Sequence, residues 1–143
     1  MDFLEKYKYV IVPMALWLCI QIFKIIYEAI KNKTFDFKRI IGAGGMPSAH
    51  SAVVTSLATL IGRFEGIDSC DFAIAFVFAC VVMYDAAGVR RATGEQARLL
   101  NKMVDKPNML NIKPSEKLIE NIGHTPMQVI AGAIIGFVVG LVF

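Results

Sequence analysis

Long apolar runs restrict this chain more than any other feature of its sequence. A helix needs about 20 mostly apolar residues to cross a bilayer, and four stretches approach that: Tyr9 to about Ile30, Pro47 to near Gly62, Phe72 to Val89, and about Thr125 to Phe143. Over 143 residues, 56% are hydrophobic and the mean hydropathy is +0.57, which a soluble domain of this size would not show. We therefore expect an all-α integral membrane protein: a bundle of about four transmembrane helices forming a single domain over residues 1–143. The first run continues too far for a cleavable signal peptide. The formal charge of +3 is too small to indicate nucleic acid. Cys19, Cys70 and Cys80 lack the spacing of a zinc site or a disulfide framework.

The loops predict an orientation. Lys31, Lys33, Lys38 and Arg39 follow the first run, and Arg90, Arg91, Arg98, Lys102, Lys106, Lys113 and Lys117 follow the third, whereas Arg63 faces Glu65, Asp68 and Asp71 between the second and third. The positive-inside rule puts both basic segments in the cytoplasm and both termini outside, so all four helices gather their cytoplasmic ends on one face. Ala92 to Val104 mixes polar residues with Ala97, Leu99, Leu100 and Met103, as a cytoplasmic interfacial helix does. Pro107 and Pro114 then bound a turn-rich connector.

Three short segments carry candidate chemistry. "GGMPSAHSA" starts the second run with Gly44, Gly45, Pro47, Ser48 and His50, and "GHTPMQV" starts the fourth with Gly123, His124, Thr125 and Pro126. In both, Pro suits the first helical turn and Gly lets backbone approach a ligand, while Thr125 suits an N-cap. Helix N-termini favour anions. The chain's two histidines both stand at such positions, with clustered arginines on the same predicted face, and that conjunction indicates a phosphate site. The third segment is "YDAAGVRR", Tyr84 to Arg91. Asp85 there is either a functional acid near the membrane face or a structural ion-pair partner of Arg90, Arg91 or Lys38. The two arginines can grip phosphate oxygens bidentately, although orientation alone would also place them there.

Together these segments resemble the type 2 phosphatidic acid phosphatase superfamily, in particular its short, divergent branch of bacterial and plant membrane proteins, over roughly residues 38 to 140. "MPSAHSA" is similar to that superfamily's middle signature. The resemblance implies hydrolysis of a phosphate ester without a metal or other cofactor, through a phosphohistidine. It makes His124 the nucleophile and His50 the general acid, with Ser48, Arg90, Arg91, Lys38 and Arg39 as phosphate-binding candidates. It also marks departures. The family's orienting Asp is Gln128 here, so Asp85 is a candidate substitute beside His124. The first signature, a Lys ahead of an Arg-Pro pair, has no clean match around Lys31, Lys38 and Arg39. The Arg that usually precedes the nucleophile falls on Leu118, which leaves Arg90 or Arg91 to supply that charge.

Gly132, Gly136 and Gly140 form a small-residue face that permits close helix packing, within the bundle or in a homo-oligomer. Phe72, Phe76 and Phe78 are expected to face lipid or core. The resulting expectation is a lipid phosphatase of the bacterial cell membrane that removes a phosphomonoester at the cytoplasmic leaflet: phosphatidylglycerophosphate, phosphatidate or a polyprenyl phosphate. A membrane protein that binds phosphorylated lipid without turnover is the alternative. A metal site around Asp85 is a third.

Overall fold

The computed structural model describes residues 3–32, 45–104, 118–120 and 122–143. Among these residues five helices follow one another: α1 (Phe3–Asn32), α2 (Ala49–Phe64), α3 (Cys70–Ala87), α4 (Val89–Val104) and α5 (Pro126–Val142). All described regular structure is helical. The apolar runs account for α1, α2, α3 and α5, while α4 is the amphipathic segment, beginning three residues earlier than its sequence pattern indicated. Gly88 ends α3, donating its N–H to the Tyr84 carbonyl, and the chain re-enters helix at once. Lys33, Lys38, Arg39, Gly44, Pro107 and Pro114 lie outside the described residues.

The outer surface identifies the solvent. Phe76 and Phe78 of α3 are more than half exposed, as are Ile134 and Val138 of α5, and such a surface would associate in water. Residues Glu5–Ile30 and Cys70–Met103 are long and apolar enough to cross a bilayer. The 16 residues of α2 and 17 of α5 rise about 25 Å, close to the hydrocarbon thickness. The protein is a membrane helical bundle.

α2 is its centre. α1, α3 and α5 all pack on it, α5 touches both α1 and α3, and α1 and α3 do not touch each other among the described residues. α2 and α5 approach closest. A Cβ added at Gly132 would run into the Ser48 carbonyl, one at Gly136 into the Ala52 carbonyl, and one at Gly140 into Thr59 and the Ser56 carbonyl. The small-residue face of α5 therefore belongs to an intramolecular helix pair. Within membranes such contact draws on dispersion between close backbones.

α1 lies antiparallel to α2. Near its start the Tyr9 hydroxyl donates to Glu65 Oε1, and the Lys8 ammonium sits 3.2 Å from the Phe64 ring centroid. Further along, Leu16 and Ile20 are buried with Ala49 and Ala52. α3 meets α2 through Phe72 against Gly62 and Met83 against Thr55.

Gly136→Ala should destabilise the bundle by about 1–3 kcal/mol through overpacking, while Ile134→Ala on the outer face of α5 should change it by less than about 1 kcal/mol. Denaturant unfolding of both variants in detergent measures the difference.

Candidate active site

The site forms where α2 and α5 begin. Ser48 is the N-cap of α2, its hydroxyl accepting from the Ser51 N–H at 3.3 Å and from the Ser51 hydroxyl at 3.0 Å. This corrects the expected helix start. Pro47 precedes the cap instead of filling the first helical turn, because the serine oxygen satisfies an orphan donor that proline cannot. Ser48 is fully buried, and its own N–H donates to the Gln128 carbonyl at 3.1 Å. The hydroxyl thus caps α2, the N–H ties α2 to α5, and both face away from solvent. His50 follows in the first turn with an exposed face.

The start of α5 matches its sequence signals. Thr125 is the N-cap, Pro126 opens the helix, and Gln128 completes a capping box with Thr125. The Gln128 Oε1 accepts from the Thr125 N–H at 2.9 Å and lies 3.3 Å from His124 Nδ1. Only an oxygen can accept from that N–H, so the amide's orientation is fixed and Nδ1 of His124 carries the proton that Oε1 receives. The Nε2 lone pair of His124 is left for chemistry.

The segment before α5 docks on the junction of α3 and α4. The His124 N–H donates to the Ala86 carbonyl at 3.1 Å, and Gly123 rests against the Arg91 backbone so closely that a Cβ would overlap its Cα. Asn101 holds the approach to this turn by bonding the N–H and carbonyl of Leu118 and the carboxylate of Glu120. His124 is 2% exposed. Its ring centroid lies 6.4 Å from that of His50, so His124 forms the floor of the pair and His50 its surface.

Of the two readings open for Asp85, the structure has the ion pair: Arg90 Nε donates to Asp85 Oδ2 at 2.6 Å. The Asp85 charge acts on His50, and it is Gln128 that contacts His124. Arg91 is drawn the other way, its Nε 3.1 Å from Glu95 Oε1. Arg90 acts electrostatically on both histidines, so of the two arginines it is the one the fold brings to the site. Lys38 and Arg39 fall outside the described residues. Among the described residues no three or more His, Cys, Asp or Glu come together as a metal-holding group.

Lys24 is a site cation that the motifs do not reveal. From the Tyr9–Glu65 contact, fifteen residues along α1 lead to Lys24 and fifteen back along α2 lead to His50. Equal rise in two antiparallel helices places them within about one turn of the same level. The Lys24 charge acts on both histidines. Its sequence signal is a cation within an apolar span, which by itself marks functional residues.

Burial, the largest influence, pushes the His124 imidazole below its usual range; the Gln128 hydrogen bond opposes this, and Lys24, His50 and Arg90 add to it. The neutral imidazole therefore prevails at pH 7 and persists into mildly acidic solution.

An all-helical membrane bundle with paired histidines at two helix N-termini defines a class, and the comparisons with known proteins place the chain within one. Residues 6–139 match the model of the divergent PAP2 family. The chain belongs to that family. It is 38% identical over 133 residues to the "Uncharacterized membrane protein YuiD" of Bacillus subtilis (strain 168), covering 85% of this chain and 84% of that one. No solved structure matches.

Titration of the His124 imidazole by NMR in detergent micelles should give a midpoint below the usual 6.5. Gln128→Leu should lower it further, because the hydrogen bond that favours the charged form is lost.

Proposed function

We propose that this chain is a membrane lipid phosphatase that cleaves a phosphomonoester through a phosphohistidine on His124. The observation that carries this reading is the approach of His50 and His124 to a 6.4 Å ring separation at the positive ends of two helices, in a member of a phosphatase-related family.

The chemistry follows from the two rings. The Nε2 lone pair of His124 attacks phosphorus while Nδ1–H remains bonded to Gln128. The ester P–O bond breaks, and His50 gives its proton to the departing oxygen. Water then attacks phosphorus and passes a proton to His50, the N–P bond breaks, and inorganic phosphate leaves with both histidines restored. Arg90 and Lys24 stabilise negative charge on the transferring phosphoryl group. Ser48 and Gln128 act as positioning residues through the caps and the α2–α5 link. Lys38 and Arg39 complete the phosphate-binding set in this proposal.

A lipid substrate is supported by where the histidines lie along α1. Tyr27 and Ile30 are exposed apolar residues, and they extend about 4 and 9 Å past Lys24. Their exposure supports a site near the edge of the apolar band, within reach of a headgroup held by its own bilayer-embedded tail. We assign it to the cytoplasmic leaflet of the bacterial cell membrane on the loop charges, with phosphatidylglycerophosphate as first candidate and phosphatidate or a polyprenyl phosphate next.

One observation favours a second reading, a lipid-binding protein without turnover. The residue that orients His124 is a neutral amide, and Asp85, a nearby carboxylate, is held by Arg90, so among the described residues no carboxylate directly supports a positive His124. Phosphate release from those three lipids by purified protein in micelles separates the readings. The phosphatase should release phosphate with or without chelator, His124→Ala should abolish release, and His50→Ala should slow it by about 10²–10⁴-fold. Lys24→Gln should lower kcat/KM by about tenfold or more. Lipid binding without release by the wild type would establish the second reading instead.

A further inference from the structure

The four sides of α2 are differently occupied. Ser48, Ala52, Ser56 and Thr59 face α5, Ala49 and Ala52 face α1, and Thr55 and Gly62 face α3. His50, Leu57 and Ile61 stand seven and eleven positions along from the first of them, so they share one line within about 20°. That line points nearly opposite to α5, into the space between α1 and α3. Those two helices do not touch each other among the described residues, and Leu57 and Ile61 are half-buried while His50 is exposed.

The result is a strip with apolar side chains along its length, helices on either side and a catalytic histidine at one end. Leu57 and Ile61 lie about 10 and 16 Å from His50 along the helix axis. We propose that this groove of α2, floored by Leu57 and Ile61 and flanked by α1 and α3, holds one hydrocarbon tail of the phosphorylated lipid whose headgroup reaches His50 and His124. The proposal rests on the phosphatase reading for the headgroup, but the tail site itself is a property of the groove. Continuity with the histidine pair selects this occupant. A molecule with an apolar chain and a phosphate at one end matches both parts of the strip, whereas a helix from a second copy would bring backbone and bulk to its polar end. Tail contacts remote from phosphorus would then raise kcat as well as tighten binding.

The test combines two measurements on the full-length protein in micelles. Phosphatidate with a photoreactive diazirine near the end of one acyl chain is crosslinked to wild type, and the modified peptides are mapped. In parallel, kcat/KM is compared for dioleoyl phosphatidate and for water-soluble p-nitrophenyl phosphate in wild type, Leu57→Trp, Ile61→Trp and the outward-facing control Val138→Trp. We expect crosslinks concentrated on α2 between residues 53 and 61. The ratio of lipid to soluble-ester kcat/KM should fall about tenfold in both groove variants and stay unchanged in the control. Crosslinks spread over the exposed faces of α3 and α5, or a ratio unaltered by both groove variants, would overturn the proposal. Crosslinks between protein chains that compete with the lipid for α2 would overturn it in favour of a second copy. If wild type releases phosphate from neither substrate, the phosphatase reading fails, and the crosslink map alone still decides the groove.

Discussion

The contact between α2 and α5 is the constraint from which the rest of the arrangement follows. Two helices that meet through Gly132, Gly136 and Gly140 on one side and the Ser48, Ala52 and Ser56 carbonyls on the other cannot slide without driving backbone into backbone. Their register is therefore fixed, with the Ser48 cap of α2 set beside the second turn of α5, between Gln128 and Gly132. The Ser48 N–H donating to the Gln128 carbonyl locks that register with a hydrogen bond, shielded because Ser48 is fully buried. A site formed where two helices begin depends on this register, since each end contributes partial charge only within about its first turn.

Gln128 links three tasks. Its carbonyl joins α5 to α2, its amide caps α5, and the same amide oxygen meets His124. A carboxylate could perform the last two and would also favour a charged imidazole; the amide orients the ring without doing so. The depressed His124 is thus consistent with a nucleophile kept neutral by its surroundings. Asp85, a carboxylate of the neighbourhood among the described residues, is instead directed to Arg90.

Much of this was legible in the sequence. Thr125, Pro126 and Gln128 announce the start of α5 because capping chemistry is local, and the apolar runs announce the helices because a bilayer requires them. The start of α2 was less legible: Pro47 and Ser48 are both good helix openers, and which one begins the helix depends on whether Ser48 turns its oxygen to Ser51. The family's motifs lead to His50 and His124. They do not lead to Lys24, because its place depends on the register of α1 against α2, set by contacts as distant as Tyr9 with Glu65. Likewise Arg90 and Arg91 look equivalent in the chain, and only their partners, Asp85 and Glu95, separate them.

The ties at the end of the bundle remote from the histidines have a mechanical consequence. Arg63 Nη1 donates to the Leu141 carbonyl at 2.6 Å, while Tyr9 and Lys8 fasten α1 to Glu65 and Phe64. α1 is thereby pivoted at the far end. Lys24 lies about 22 Å along the helix from that pivot, so a tilt of only about 5° would carry its ammonium nearly 2 Å toward or away from the histidines. Leu16 and Ile20, closer to the pivot, would move less. A thickness change in the surrounding bilayer that altered the tilt of α1 would therefore be felt first at its charged end.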